Sequence, residues 1–256
     1  MKTSRSLSLF RGWHTCRAAF TLTELVVVLA TVSVLVVICL PALAGTKGQS
    51  RIGQCASNLQ QFTLAMHIYG GENNDKLPPI SGGNWVWDLP WYTGNIVTQW
   101  VSWRQLYCPG TSVRFTDQDN LSLWNWNPNG FHVINYALTF TAGALNTTNQ
   151  NSTLTPRRIS FGATVMPAPS PSQRVLLADA TISEPNQNSN LNVFRSTYNY
   201  TYIQGGYAKA HVSPHLNGKM PAGGNLGMLD GHIEWRTFDS MQSRTDPNSG
   251  TPTFWW

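Results

Sequence analysis

The sequence predicts an α+β protein in which a long N-terminal helix, with a transmembrane half and an amphipathic half, packs on a small antiparallel β-sheet head with long loops. Three observations lead to this prediction: an apolar stretch with one charge, a stripe of apolar residues at helical spacing after it, and strand-like segments in the remainder. The 256 residues therefore divide into a basic leader (1–19), an apolar helix (20–44), a stem helix (45–71) and a β-rich head (72–256).

The composition excludes several classes of protein. Charged residues make up only 11% of the chain and there are 11 tryptophans, which is unlike a disordered chain. The formal net charge is +5, but Lys2, Arg5, Arg11 and Arg17 lie in the leader without an acid. The remaining residues carry 13 basic against 12 acidic side chains, so the body of the protein has no electrostatic footprint for nucleic acid.

The apolar segment from Phe20 to Ala44 contains a single charge, Glu24. About 20 apolar residues span a bilayer as a helix, and the basic leader predicts a cytoplasmic N-terminus. We therefore expect a single-pass inner-membrane protein with a periplasmic or extracellular head. A secretory signal peptide cleaved after Ala42-Leu43-Ala44 and an uncleaved signal anchor are the other interpretations, but neither explains a carboxylate in an apolar helix.

The segment Arg17-Ala18-Ala19-Phe20-Thr21-Leu22-Thr23-Glu24 resembles the processing site of type IV prepilins and type II secretion pseudopilins. The resemblance implies that a prepilin peptidase cuts between Ala19 and Phe20 and methylates the new N-terminus. The acidic fifth residue of the mature family is then Glu24, and the family's proline at mature position 22 is Pro41. One departure is Ala19, where the family usually has glycine.

The resemblance also implies a function for Glu24 in assembly. In a filament, its carboxylate would pair with the α-amino group of Phe20 in a neighbouring subunit, because an unpaired charge in an apolar core costs several kcal/mol. The other interpretation is a helix-end carboxylate favoured by the helix dipole, which contributes about 0.3–1 kcal/mol. We expect a structural subunit, a pilin or pseudopilin, whose partners are prepilin peptidase, other such subunits and the inner membrane.

The stem helix is predicted from apolar residues that recur at spacings of three and four after Pro41, the point at which a kink is expected. Gly70-Gly71 is expected to end the helix. The stripe consists of Ile52, Cys55, Leu59, Phe62, Met66 and Tyr69.

Further motifs resemble the large pseudopilin-like group with an H-X9-DG C-terminal signature. They are Cys55-Ala56-Ser57-Asn58-Leu59, Cys108-Pro109, the strand-like Pro171 to Asp179, and the hairpin Asn225 to Trp235. Asp230-Gly231 is a dipeptide favoured in tight hairpin turns. The signature histidine is His215, and 14 residues rather than nine separate it from Asp230.

Two of the four cysteines, Cys55 and Cys108, follow the apolar segment. In an oxidising compartment they could form a disulfide between stem and head, whereas two buried thiols are the other interpretation. A metal site is suggested by Asp179, His211, His215, Asp230, His232 and Glu234. Pro214 argues against a shared helix face for the first two histidines, and the hairpin turn explains Asp230, so we predict no metal and no cofactor. A structural Ca²⁺, as in some related pseudopilins, is the weaker alternative.

Catalytic motifs are missing from the sequence. It contains no G-x-S-x-G, no Walker A sequence and no H-E-x-x-H, so we predict a structural protein and not an enzyme. One alternative is an exported carbohydrate-binding or hydrolytic domain with an ordinary secretory signal. Another is a membrane-tethered sensor that binds through a tryptophan surface.

The tryptophans crowd one part of the head. Trp85, Trp87, Trp91, Trp100 and Trp103 fall within 19 residues. We predict that they belong mainly to the core, with a carbohydrate platform or a contact surface as the other interpretation. The terminal pair, Trp255-Trp256, is predicted to be exposed, because chain ends are usually superficial.

Overall fold

A computed structural model of the chain describes residues 21–80, 83, 85–126, 130–140, 151–161, 164–187, 192–245 and 250–256. Positions 38–47, 159–161, 164–166 and 192–194 are described by their backbone alone. The chain divides into two compact units, Met1–Thr46 and Lys47–Trp256. The leader and the predicted processing site, Ala19 and Phe20, lie outside the described residues.

Helix α1 spans Leu22–Glu72 and begins with a capping box. The Thr21 hydroxyl accepts a hydrogen bond from the Glu24 backbone N–H at 3.3 Å. In return, the Glu24 carboxylate accepts one from the Thr21 backbone N–H at 2.9 Å. These bonds satisfy donors that the first turn of a helix otherwise leaves unpaired. The helix continues through Pro41, whose side chain lies outside the described part.

The predicted transmembrane half requires a correction. Within the described part of the chain, no helix combines the length and the apolar character needed to cross a bilayer. The predicted single-pass inner-membrane localisation is therefore wrong, as is the part of the fold class that depended on it.

The β structure also differs from the single small sheet that the sequence predicts. The described strands form five sheets, all antiparallel, of which one has four strands and the others two. The strands are only two to six residues long and are separated by Pro-, Asn- and Gly-containing loops, which cannot extend one ladder.

The four-stranded sheet has the order β11 (Ile233–Thr237), β10 (Gly223–Met228), β6 (Val175–Asp179) and β3 (Tyr136–Leu138). The two-stranded sheets pair β1 (Asp88–Pro90) with β2 (Phe131–Val133), β4 (Ile159–Phe161) with β5 (Thr164–Met166), β7 (Thr181–Ser183) with β12 (Thr253–Trp255), and β8 (Leu216–Asn217) with β9 (Met220–Pro221).

The hairpin predicted between Asn225 and Trp235 is present as β10 and β11. Gly227 pairs with Ile233 across the hairpin. At the turn, Gly231 has a φ of +95°, a conformation in which a Cβ would be strained. The Asp-Gly dipeptide was therefore a sound indicator of this turn.

Two further α-helices lie in the described part of the second unit, α2 (Trp91–Val97) and α3 (Asp117–Trp124). Helix α3 begins with a second capping box, in which Thr116 and Asp119 exchange hydrogen bonds at 2.8 and 3.2 Å. Short 3₁₀ segments cover Trp103–Leu106, Pro109–Thr111, Pro171–Gln173, Asn192–Thr197 and Phe238–Ser240.

Within the second unit, the C-terminal half of α1 packs its apolar stripe on the four-stranded sheet. Cys55, Leu59, Phe62 and Met66 are completely buried, and Ile52 and Tyr69 are half-buried. The rings of Phe62 and Tyr136 lie edge to face with centroids 6.3 Å apart, and the Asn225 side chain donates to the Ile52 carbonyl at 3.3 Å. This packing brings one face of α1 against the two central strands, β6 and β10.

Candidate functional site

Four side chains with metal-binding or nucleophilic atoms meet inside the second unit. They are Cys55, Cys108, Asp179 and His215, here called the four-donor cluster. One sulfur, nitrogen or oxygen atom from each lies within 4.8 Å of the others, and all four residues are buried. The sequence analysis named all four residues but did not predict that they lie together.

Each member of the cluster comes from a different element. Cys55 belongs to the stripe that helical spacing directs toward the sheet. Cys108 directly precedes the 3₁₀ segment Pro109–Thr111, and Asp179 is the last residue of β6. His215 lies immediately before β8. The site therefore forms only when helix, sheet and both loops have assembled.

The carboxylate of Asp179 is the centre of the hydrogen-bond network. Its Oδ1 accepts from the Cys55 thiol at 2.8 Å, and its Oδ2 lies 3.2 Å from His215 Nε2. The backbone N–H and the side-chain amide of Asn225 also donate to Oδ2, at 2.7 and 3.1 Å. A buried carboxylate is stable only with such partners.

Cys108 completes the cluster and approaches the same ring nitrogen of His215 as Asp179 does. Its Sγ lies 3.2 Å from His215 Nε2 and accepts a hydrogen bond from the Gly110 N–H at 3.4 Å. A Cβ on Gly110 would lie 2.9 Å from both the backbone N and Nδ1 of His215, so glycine lets this turn approach the ring. His215 itself has a φ of +53°, which is uncommon for a residue with a side chain.

The electrostatics of the cluster follow from burial and from one anion. Burial, then the adjacent Cys108 and the charge of Asp179, raise the pKa of the Cys55 thiol well above its ordinary value. Burial likewise raises the pKa of Cys108. For His215 burial acts to lower the pKa, but the hydrogen bond to Asp179 and the contact with Cys55 outweigh it and raise the pKa. At neutral pH these raised pKa values keep Cys55 and Cys108 as thiols and His215 as an imidazolium.

The arrangement does not suit a Cys-His-Asp catalytic triad. In such a triad the nucleophile and the carboxylate face opposite ring nitrogens, whereas Cys108 and Asp179 both face Nε2 of His215. The side chains of His215 and Asp179 are 1% and 0% exposed, so a substrate could not reach them. Two sulfurs, an imidazole and a carboxylate are instead donors that zinc accepts.

The other residues of the predicted metal group lie elsewhere. Asp230 is at the hairpin turn, where its carboxylate is 2.6 Å from Nδ1 of the exposed His232. Nε2 of the same histidine is 4.0 Å from Glu234. His211 is buried against the ring of Trp87, with centroids 4.5 Å apart. Only Asp179 and His215 of that group enter the cluster.

Sequence reasoning missed the cluster because it treated the cysteine pair and the histidines separately. Cys55 and Cys108 are free thiols in this structure, and their disulfide stays a prediction. A usable signal existed: all four members begin or end motifs of the resemblance described above, namely the Cys55 segment, Cys108-Pro109, the strand that ends at Asp179, and His215. Their convergence could not be read from their positions.

Glu24, the predicted assembly residue, lies in the first unit on the exposed start of α1. Its carboxylate accepts hydrogen bonds from the backbone N–H and from the hydroxyl of Thr21, at 2.9 and 2.8 Å. These bonds lower the pKa of Glu24, so the group is ionised at neutral pH. Its predicted partner, the α-amino group of Phe20 in a neighbouring subunit, lies outside the described residues.

The tryptophans divide between core and surface. Trp87 is buried, Trp85 and Trp103 pack partly against the core, and Trp91 and Trp100 are 41% and 37% exposed.

The predicted exposure of the terminal pair is wrong, because Trp255 and Trp256 are completely buried. Strand β12 pairs with β7, and the Trp255 indole N–H donates to the Ser183 hydroxyl at 3.0 Å. An indole can be buried fully when its N–H finds a partner of this kind.

Comparison with known proteins identified no relative of this chain. No protein-family model matches the chain, and no curated protein or solved structure matches it. What this chain does is therefore argued from its own residues.

Proposed function

We propose that this chain is a structural subunit, a pilin or pseudopilin, that prepilin peptidase processes and that assembles with other subunits into a type IV pilus or the pseudopilus of a type II secretion system. The proposal rests on the motifs from Ala19 to Glu24 and is supported above all by the exposed apolar surface at the start of α1. It assigns the protein no enzymatic activity.

This apolar surface covers every side of α1 between positions 22 and 37. Eleven large apolar side chains between positions 22 and 37 are 48% to 79% exposed: Leu22, Leu25, Val26, Val27, Val28, Leu29, Val32, Val34, Leu35, Val36 and Val37. A helix that is apolar all round is normally buried, and large exposed apolar patches mark interaction surfaces. In the proposed filament the equivalent helices of other subunits cover it.

In a filament, Glu24 would fix the position of each apolar helix along the axis relative to its neighbours. It is the only ionisable side chain between positions 21 and 37, and its lowered pKa keeps it charged. When apolar helices pack together, a charge among them is strongly destabilising unless it is paired. Cleavage before Phe20 would create a new amine four residues away, and the same amine of a neighbouring subunit would be the partner.

A charge-neutral substitution at Glu24 tests the proposal. Glu24→Gln keeps a residue that completes a capping box, so the helix start is retained and only the charge is lost. We expect the yield of sheared filaments to fall at least about 10-fold, the effect of about 1.4 kcal/mol per contact. The matched control is Glu72→Gln, at an exposed acid near the other end of α1, which should assemble like the parent.

The mature N-terminus provides a second, independent measurement. Mass spectrometry of the natural protein should find N-methyl-Phe20 as its first residue. A mature chain that begins at Gly45 would contradict the proposal and favour an exported domain with an ordinary signal peptide. Equal filament yields from Glu24→Gln and the parent would contradict the assembly step.

A second candidate function, carbohydrate binding by the head, is favoured by an aromatic groove. Trp85, Trp126, Phe131 and Tyr207 line an open cavity of about 200 Å³. Aromatic side chains that carry a polar group suit ligands that are partly apolar and partly hydroxylated.

Native electrophoresis in gels that contain a soluble β-glucan or a soluble xylan tests this candidate. The parent protein should be retarded, and Trp126→Ala should lose at least about 10-fold in affinity, since stacking contributes about 1 kcal/mol or more beyond area burial. Trp100→Ala, at a partly exposed tryptophan that does not line the groove, is the control. Absence of retardation of the parent would exclude this candidate for these glycans.

A further inference from the structure

We propose that the four-donor cluster is a closed structural site for one divalent transition-metal ion, with zinc as the preferred ion. The ligands are the sulfurs of Cys55 and Cys108, a carboxylate oxygen of Asp179 and Nε2 of His215. The inference is independent of the proposed function, because it concerns the second unit alone.

The spacing of the four donors fits a tetrahedral ion. Zinc holds sulfur at about 2.3 Å and nitrogen or oxygen at about 2.0–2.2 Å, so neighbouring ligand atoms lie about 3.3 to 3.8 Å apart. The cluster has Cys108 Sγ and Asp179 Oδ2 each 3.2 Å from His215 Nε2, and the Cys55 sulfur 2.8 Å from Asp179 Oδ1. Side-chain movements of up to about 1 Å would bring the four donors, which all lie within 4.8 Å of one another, to the distances that zinc requires.

The same nitrogen faces a sulfur and a carboxylate, which distinguishes a metal site from a hydrogen-bond relay. Nε2 of His215 has a single proton to donate, yet both Cys108 and Asp179 approach it at hydrogen-bond distance. A cation at the point where the four donors converge satisfies all of them at once. Two thiols buried beside a carboxylate otherwise offer only weak donors and acceptors.

The binding step balances in protons and involves no change of oxidation state. As each metal–sulfur bond forms, the S–H bond of Cys55 or Cys108 breaks, and the metal–nitrogen bond replaces the Nε2–H bond of His215. Three protons therefore leave for one M²⁺ when the histidine starts protonated, as expected for ligands that must be deprotonated. The bound site carries one net negative charge from two thiolates and one carboxylate.

Neighbouring groups hold the ligands and stabilise that charge. Asn225 donates its backbone and side-chain N–H groups to Asp179, and Gly110 donates its N–H to Cys108. The Tyr136 hydroxyl lies 3.5 Å from the Cys55 sulfur. Hydrogen bonds of this kind orient the ligands of a metal and tune its affinity.

Burial makes the site structural and not catalytic. All four ligands come from the protein, so no position stays open for water or substrate, and none of the residues is solvent-exposed. The elements that supply them are separate in sequence, so the ion would join helix α1, the Cys108 loop, strand β6 and the His215 loop. Such an ion binds as the chain folds and adds its binding free energy to stability.

Metal analysis of the full-length chain tests the site directly. The protein is unfolded in a chelator with a thiol reductant, refolded with Zn²⁺ or Co²⁺, and freed of excess ion. We expect inductively coupled plasma mass spectrometry to find about one metal ion per chain, since the four donors complete one tetrahedral site. The Co²⁺ form should show the visible bands of a tetrahedral ion and thiolate charge-transfer absorption.

A ligand variant with a matched control separates specific binding from adsorption. Cys108→Ser should lower the zinc affinity at least about 100-fold in competition with a chelating indicator, because serine is a poor zinc ligand. His211→Gln changes an equally buried histidine outside the cluster and should bind zinc like the parent. If Cys108→Ser does not fold, the Co²⁺ spectrum of the parent still tests the proposal, because thiolate charge-transfer absorption appears only if the cysteines bind the ion.

Thermal unfolding and thiol mapping complete the test. Zinc at about 100 times its Kd should raise the Tm of the parent by about 5 to 10 °C and leave that of Cys108→Ser unchanged. Less than about 0.1 ion per chain in the refolded parent would overturn the inference, as would equal zinc affinity in parent and Cys108→Ser. Peptide mapping that finds Cys55 and Cys108 joined by a disulfide in the natural protein would overturn it as well.

Discussion

His211 and His215 lie four positions apart in the sequence, yet their surroundings shift their pKa values in opposite directions. His211 packs on the ring of Trp87, and burial lowers its pKa to about 4. His215 is also buried, but the carboxylate of Asp179 faces it and raises its pKa. A nearby anion, and not burial alone, therefore decides which histidine is charged.

The lowered pKa of His211 predicts how stability depends on pH. An unfolded histidine titrates near 6.5. Burial and the charge of Arg114 lower the pKa of His211 to about 4, so between these values only the unfolded chain binds the proton. The stabilising contribution is complete above about pH 6.5 and is lost as the pH falls to about 4. His211→Gln should reduce the acid-induced loss of unfolding free energy by about 3 kcal/mol.

Urea unfolding of the parent and His211→Gln at several pH values between about 7 and 4 measures this effect. The difference between the two proteins cancels contributions from other groups, such as His132, whose pKa burial also lowers. Parallel pH profiles for parent and variant would show that His211 does not remain neutral in the folded chain.

At the scale of elements, a glycine in α1 and a glycine in β10 differ in the space available for a side chain. Gly53 lies on an exposed face of α1, and a Cβ there would have no neighbour within 4 Å. Gly227 lies in buried β10, where a Cβ would overlap the Thr63 side chain of α1 and approach Ile233 at 3.4 Å. The close contact between helix and sheet therefore depends on the missing side chain in the strand.

The same substitution at these two glycines should change stability in opposite directions. Gly53→Ala should raise the free energy of unfolding by about 0.5–1 kcal/mol, because alanine restricts the unfolded chain and favours helix. Gly227→Ala should lower it by about 1–3 kcal/mol through overpacking. Denaturant titrations with an unchanged m-value would measure both. A stabilising Gly227→Ala would mean that α1 and β10 are not in close contact.

Several of these elements could be predicted because their signals are local. The stripe from Cys55 to Met66 repeats within each helical turn, and its residues are buried as the spacing predicts. The Asp230-Gly231 turn needs only its two flanking strands. By contrast, the predicted single sheet is wrong, because strand partners far apart in the sequence, such as β7 and β12, give no local signal.

At the scale of the whole molecule, the described C-terminal strand β12 supports a second, smaller core. Tyr200, Phe238, Met241 and Trp255 form this cluster. Arg195 is buried above it, donates to the carbonyls of Phe238 and Met241 at 2.8 and 2.6 Å, and lies 4.9 Å from the Trp255 ring. The two terminal nitrogens of the guanidinium thus donate to backbone carbonyls, and its plane lies over the rings of Phe238 and Trp255.

Truncation of the tryptophan should destabilise the second unit as a whole. Trp255→Ala removes a completely buried side chain and should lower the free energy of unfolding by about 3–5 kcal/mol. The control Trp100→Ala, at a side chain that is 37% exposed, should change it by less than about 1 kcal/mol. Chemical denaturation followed by circular dichroism measures both. Similar effects from the two variants would contradict the burial of Trp255.

By itself, the sequence determined the near-neutral body, the apolar segment around Glu24, the helical stripe and the hairpin turn, because each depends on composition or on residues within a few positions. Only the tertiary structure decided the buried tryptophan pair and the four-donor cluster. Cys55 and Asp179 are 124 positions apart, and Cys108 and His215 are 107 apart. Contacts over such distances exist only after helix, strands and loops have packed, so no local pattern can indicate them.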